Sequence, residues 1–196
     1  MKSLSLAVPH VVIMVGVPGS GKSFFAEHFA KTFSAPIVSW GAVRGELFNE
    51  PTFSKDEEVI VQRVADLMLD QMMKTGATVL YEGDMTTQVS RKNLEKQIRK
   101  AGYEPLFVWV QTDTATSRAR ALKQGVSAAV YDTAIKKFTP LKDADPFIVI
   151  SGKHTYASQL KIVLRRLSGA RTASGPDIAR VKAAKVVPPQ RRVRIQ

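Results

Sequence analysis

One segment constrains this chain more than any other. Residues 16–23 read Gly16-Val17-Pro18-Gly19-Ser20-Gly21-Lys22-Ser23, a complete G-x-x-x-x-G-K-S phosphate loop. An apolar, β-branched run, His10 to Val15, precedes it. Apolar residues at 25, 26, 29, 30 and 33 follow it at helical spacing. Strand, glycine turn and helix are the context this motif requires. The glycines let backbone N–H groups curl around phosphate oxygens without Cβ clashes. The helix N-terminus adds partial positive charge. Lys22 is expected to reach the β- and γ-phosphates, and the Ser23 hydroxyl to ligate Mg²⁺.

The rest of the body repeats the alternation. Strands are expected at 36–39, 77–81, 105–110 and 147–150. Helices are expected at 41–48, 54–74, 90–101, 114–124, 127–138 and 155–167. In the second of these, Ser54 and Glu57 have the capping-box spacing. Val59, Val61, Val64, Leu67, Met68, Met72 and Met73 supply its apolar residues. Short buried strands alternating with helices predict a five-stranded parallel sheet with helices on both faces. Together with the phosphate loop this makes the expected fold an α/β P-loop NTPase fold of three layers. Residues 1–167 are expected to form this nucleotide-binding domain, and 168–196 a basic, flexible tail with a possible short helix at 176–185.

Charge supports that division. The net charge is +12 over 196 residues. Residues 1–150 hold 18 basic and 16 acidic side chains, whereas 151–196 hold 11 basic ones and a single acid, Asp177. The tail is thus the candidate for sequence-independent nucleic-acid contact, through Lys182, Lys185, Arg191, Arg192 and Arg194. A solubilising tail without a partner is the alternative. No aromatic residue follows Tyr156, so base stacking by the tail is not supported. The chain has no cysteine, which removes disulfides, thiolate metal sites and a cysteine nucleophile. No apolar run approaches a bilayer span, and no secretory signal is evident. A cytoplasmic protein with no membrane contact is expected.

The third strand ends in Glu82-Gly83-Asp84, at the sheet edge where open α/β sheets bind ligands. Glu82 or Asp84 could hold a metal-bound water or orient an acceptor, and Glu82 is the second candidate metal ligand beside Ser23. Arg118, Arg120 and Lys123 cluster after the fourth strand, with Arg120 favoured as a lid arginine for the transferring phosphoryl group. Trp40 is either a base-stacking surface or a core residue. His10, His28 and His154 have no metal-ligand spacing.

These motifs resemble the small P-loop kinases of the polynucleotide 5′-kinase and zeta-toxin type, often labelled AAA-type ATP-binding domain proteins. The resemblance covers roughly residues 10–150. It rests on the G-x-P-G-S-G-K-S form and on a Ser-x-Asp-x-x-Arg segment after the second strand. Here that segment reads Ser39-Trp40-Gly41-Ala42-Val43-Arg44. Ser39 and Arg44 match, but the acceptor-activating Asp is replaced by Gly41. The resemblance implies ATP and Mg²⁺ as cofactors and transfer of the γ-phosphate to a hydroxyl acceptor, a nucleic-acid 5′ end or a small metabolite. It implies cofactor contacts from Gly16, Pro18, Gly19, Ser20, Gly21, Lys22, Ser23 and Phe24. It implies a substrate-binding role for Arg44 and a helix-opening role for Arg91. With Lys22, Glu82, Asp84 and Arg120 read from the motif and its surroundings, the expected catalytic residues are Lys22, Arg44, Glu82, Asp84 and Arg120. The loss of the Asp leaves three readings. Another acid (Glu46, Glu82 or Asp84) substitutes, or the acceptor is unusual, or the protein binds nucleotide with at most weak ATPase activity.

Overall fold

A computed structural model of the chain describes residue 6, residues 8–142 and residues 145–168. The basic segment from 169 onward, with its expected helix at 176–185, lies outside these residues. Five parallel strands form one sheet: β1 (His10–Val15), β2 (Ile37–Ser39), β3 (Val79–Glu82), β4 (Glu104–Gln111) and β5 (Phe147–Ser151), in the order β2-β3-β1-β4-β5. β1 is central. It pairs with β3 from Val11 opposite Val79 and with β4 from His10 opposite Glu104.

The position of β1 explains its composition. A central parallel strand is covered on both faces, so alternation of apolar and polar residues has no use there. Val11, Ile13 and Val15 face one layer and Val12 and Met14 the other, all fully buried. The first layer contains α3 (Lys55–Met73) and α4 (Gln88–Lys100). The second contains α1 (Lys22–Phe33) and α7 (Tyr156–Leu167). The shorter helices α2 (Trp40–Leu47), α5 (Thr114–Lys123) and α6 (Ala128–Lys137) border the C-terminal edge of the sheet. The expected three-layer fold is therefore present, with element ends within about two residues of expectation.

Helix α3 departs in its facing. Its buried stripe is Val61, Ala65, Leu69 and Met73, a strict i, i+4 row. Val59 and Leu67 are 47% and 60% exposed. Residues two apart on a helix cannot share a face, so Val59 and Val61 could not both be core. The capping box is also only half formed. Ser54 Oγ accepts from the Glu57 N–H, but the Glu57 carboxylate turns toward Arg44 and Thr52.

Six helices begin with a side-chain cap, from Ser39, Ser54, Thr87, Asp113, Ser127 and Thr155. Helix α1 does not. Its cap is Gly21, in the left-handed region at φ 106°, with no side-chain acceptor. Among the described residues no side chain caps the first-turn amides of α1, the arrangement in which a helix N-terminus can bind an anion. No described helix is long and apolar enough to cross a membrane.

Candidate functional site

The phosphate loop is held by close backbone contacts. Gly19 adopts φ 72°, and a Cβ there would collide with the Ser117 carbonyl of α5. Gly152, after β5, lies so close to the Ser20 carbonyl that any side chain would displace the loop. Thr112 Oγ1 donates to the same carbonyl at 2.9 Å. Ser20 is fully buried and its hydroxyl meets no partner among the described residues, so this residue shapes the loop through its backbone.

Two motif side chains point to the chemistry. Lys22 Nζ donates to the Val17 carbonyl at 3.1 Å. Burial lowers the Lys22 pKa, and the negative charges of Glu82 and Asp84 oppose that shift. Ser23 Oγ donates to Glu82 Oε1 at 2.6 Å. Sequence separates these two residues by 59 positions, and the pairing of β1 with β3 brings them together. A serine hydroxyl and one carboxylate, both hard oxygen donors, fit the sparse protein ligation that Mg²⁺ accepts when phosphates complete its shell. Among the described residues no group of three or more His, Cys, Asp or Glu could hold a metal by itself.

Asp84 is exposed, and its Oδ1 accepts from both the N–H and the hydroxyl of Thr86, at 3.1 and 2.6 Å. That leaves Oδ2 without a protein partner among the described residues. Gly83 lies between the two carboxylates. A Cβ there would fall 2.6 Å from Trp40 Nε1. Trp40 Nε1 in turn donates to the Tyr81 hydroxyl at 2.8 Å. The indole packs against the core on one side, as the core reading expects, and lines the cavity on the other.

Arg44 is less free than the sequence suggests. Its Nε pairs with Glu57 Oε1 at 2.6 Å, and only 13% of its side chain is exposed. The other Glu57 oxygen accepts from Thr52 N–H, Thr52 Oγ1 and Phe53 N–H. Burial would raise the Glu57 pKa, but these bonds outweigh it and hold the carboxyl below its ordinary value. Phe53, at φ 57°, is a bulky residue in the left-handed region, a strained conformation that the Glu57 contact maintains. Its ring is 63% exposed and lies 4.7 Å from the Arg44 guanidinium carbon.

These groups open into one cavity of about 570 Å³, walled by Lys22, Ser23, Arg44, Glu82 and Asp84 together with Gly41 and Trp40. Gly16 and Pro18 line it too, and α6 closes it with Val130, Thr133 and Lys137. A second cavity of about 350 Å³ lies across the loop, lined by Gly19, Gly21, Phe24, Arg120, Gly152 and His154. Lys22 and Ser23 line both. Arg120 thus sits apart from Arg44, with its Nη1 donating to the Gly152 carbonyl at 2.9 Å.

Several residues differ from expectation. Glu46 is exposed and lines neither cavity, because it lies beyond the turn of α2 that faces the site. Glu58, which carries no motif signal, does line the larger cavity. Arg91 is 3% exposed and donates to the carbonyls of Met85, Thr86, Thr139 and Pro140. It fastens the β3–α4 loop to the segment after α6 and does not face either cavity. Arg118 lies 3.7 Å from Asp132 across α5 and α6. Nothing in the sequence marks Glu57 as the anchor of Arg44, or α6 as a cavity wall.

The fold has counterparts among solved structures. A putative kinase from Chloroflexus aurantiacus superposes with a TM-score of 0.64 at 17% identity, over 82% of this chain and 99% of that one. A gluconokinase from Sinorhizobium meliloti gives 0.59 at 16%, over 83% and 91%. A chain of the Pnkp1/Rnl/Hen1 RNA repair complex gives 0.60 at 18%, over 68% of this chain and 45% of that one. At such identities the likeness establishes a shared fold, the three-layer P-loop NTPase fold. Against curated proteins the sequence finds no significant match. The family profile of the AAA domain matches residues 11–141, from β1 to the segment after α6, and the chain belongs to that family.

Proposed function

We propose that the protein is an ATP-dependent phosphotransferase that moves the γ-phosphate of Mg-ATP to a hydroxyl acceptor. The observation that carries this is the Ser23–Glu82 contact at 2.6 Å, beside Lys22 and on the same cavity as Asp84. The phosphate loop amides and the free first turn of α1 would hold the β- and γ-phosphates. Ser23 and Glu82 would hold Mg²⁺, which when bound offsets charge on the phosphate oxygens. Phe24, Arg120 and the loop after β5 surround the nucleotide end of the site, where Arg120 would stabilise phosphate charge. Asp84, with Oδ2 unengaged, takes the place of the missing Asp at Gly41 as the base.

In the transfer, the acceptor oxygen forms a bond to the γ-phosphorus as the bond to the β–γ bridging oxygen breaks. ADP leaves with that electron pair, and the hydroxyl proton passes to Asp84. Lys22 follows the charge as it moves. Solved neighbours include a sugar kinase and a gluconokinase, which supports a hydroxyl as acceptor. The cytoplasm, where Mg-ATP is supplied, is the proposed location.

Calorimetry with Mg-ATP tests the reading. Wild type binds, and Lys22→Ala weakens binding and lowers transfer by about 10²-fold or more. Equal absence of binding in both proteins refutes it. A second reading, a nucleotide binder with weak ATPase activity, is favoured by the engaged Arg44 and the absent carboxylate at Gly41. It is upheld if wild type is inert toward hydroxyl acceptors and Gly41→Asp gains transfer. It fails if wild type transfers phosphate and Asp84→Asn abolishes this.

A further inference from the structure

The reaction cavity does not end at Asp84. A groove between α3 and α4, also of about 570 Å³, continues from it. Trp40, Glu58, Asp84 and Met85 wall both spaces. Each volume by itself is in the range that holds a drug-sized ligand. A single hexose at Asp84 would leave the groove unfilled.

The charge of the groove is one-sided. Glu58, Asp66 and Asp84 line it, and none forms a salt bridge among the described residues. Lys55, at the first turn of α3, is the cation on its wall. Asp66 is only partly exposed, and burial together with the neighbouring Asp70 pushes its carboxyl pKa up, against a hydrogen bond from Gln62. A partly buried carboxylate without a counter-ion is costly, and a bound cation relieves that cost. A bound anion would add like-charge repulsion. Arg44 cannot offset it, because Glu57 already neutralises that guanidinium.

A separate observation points to a ligand. Tyr81 is 1% exposed and lines the groove. Its hydroxyl accepts from Trp40, and its own proton has no acceptor among the described residues. With its acceptor side taken by Trp40, that hydroxyl keeps a donor to offer an oxygen of a molecule lying in the groove. That hydroxyl sits beside the indole that separates the reaction cavity from the groove.

We infer that the α3–α4 groove is the second half of the acceptor site, and that the acceptor is an extended, ring-bearing alcohol carrying an amine and no phosphate or carboxylate. The inference rests on the proposed phosphotransferase activity. The reacting hydroxyl lies at Asp84, and the ring lies on Trp40 with Phe53 at the cavity rim. The ammonium group reaches Glu58 and Asp66, and an acceptor oxygen meets the Tyr81 hydroxyl. The transfer itself is the one written above, with the hydroxyl proton leaving to Asp84 and the amine unchanged.

The test uses the full chain with a matched set of acceptors. Neamine, glucosamine and octopamine carry the amine. Their N-acetylated forms remove its charge, gluconate is anionic, and a 5′-hydroxyl RNA oligonucleotide carries phosphates. Mg-ATP binding is measured first by calorimetry, and acceptor binding next with the protein saturated in ADP. At least one amine is expected to bind and to accept label from γ-labelled ATP, with kcat/KM about tenfold above that of its N-acetylated form. Asp66→Asn is expected to raise Kd and KM for that amine about tenfold while kcat holds, and to leave the N-acetylated form unaffected. Preference for gluconate or RNA, equal use of amine and N-acetyl forms, or binding of ATP but of no amine overturns the inference and leaves the kinase reading standing. Failure to bind Mg-ATP overturns the kinase reading itself.

Discussion

At the scale of single residues, glycines separate the parts of the site that tolerate change from those that do not. Gly19 and Gly152 are both constrained by backbone: the first by Ser117 of α5 and a left-handed φ, the second by the Ser20 carbonyl. Neither neighbour is the end of a flexible side chain, so neither can yield without moving the phosphate loop. Gly152→Ala is therefore expected to lower Tm and to abolish Mg-ATP binding together, read by thermal melting and calorimetry. Gly41 is the opposite case. The nearest atom to a Cβ there is Ser39 Oγ at 3.7 Å, an ordinary contact, and the residue lines the cavity that also holds Lys22 and Asp84. Gly41→Asp is expected to leave Tm within a degree or two of wild type, since an Asp in the first turn of α2 also suits the helix dipole. Any change in transfer rate then reports on the acceptor and not on folding. The sequence exposes the absent carboxylate, but it cannot show that the space for one remains open.

At the scale of elements, the sequence reveals the helices and strands well and their side-chain commitments poorly. The apolar run of β1, the serine and threonine caps and the glycine stops are local signals, so element type and bounds are legible. Which face of α3 is buried depends on where β1 and β3 lie, and that is a long-range fact. The same holds for Glu57, whose capping-box spacing hides its bonds to Arg44 and the 52–53 turn. Its depressed pKa gives a pH test. A carboxyl held below its unfolded value stabilises the fold above that unfolded pKa, and the contribution disappears as pH falls through the folded one. Wild type is thus expected to be more stable than Glu57→Gln at pH 7, with the difference in Tm closing between about pH 4.5 and lower values. A constant difference down to pH 3 would show that the charge of Glu57 is irrelevant. Arg91 makes the parallel case by hydrogen bonds. Its removal in Arg91→Ala strips donors from carbonyls of two loops, at about 1–3 kcal/mol for each one left unsatisfied. A loss of about 3 kcal/mol in denaturant unfolding is expected, with weaker ATP turnover following from displacement of the β3–α4 loop and its Asp84.

At the scale of the whole molecule, charge and site are separate matters. The P-loop body is nearly neutral, and the α3–α4 groove carries carboxylates at Glu58, Asp66 and Asp84 that form no salt bridge among the described residues. The excess of lysine and arginine belongs to residues 151–196. Of these, Lys153 is tied to Asp113 and others lie on α7, while those from 169 onward fall outside the described residues. We propose that this segment holds nucleic acid through its phosphates alone, and that such binding neither supplies nor selects the acceptor. A chain ending at residue 168 retains the whole of α7, whose Val163 and Leu167 complete the core layer behind α1. It is expected to keep its Tm and its rate of transfer to a small acceptor. Its affinity for single-stranded RNA should fall at low salt, with a shallower dependence of log K on log salt than the full chain shows. Every phosphate that the shortened chain no longer neutralises reduces that slope by about 0.7. Filter binding at several salt concentrations measures the slope. Unchanged affinity and slope after truncation would assign the RNA binding to the body, and the acidic α3–α4 groove could then no longer be taken to exclude a nucleic-acid acceptor.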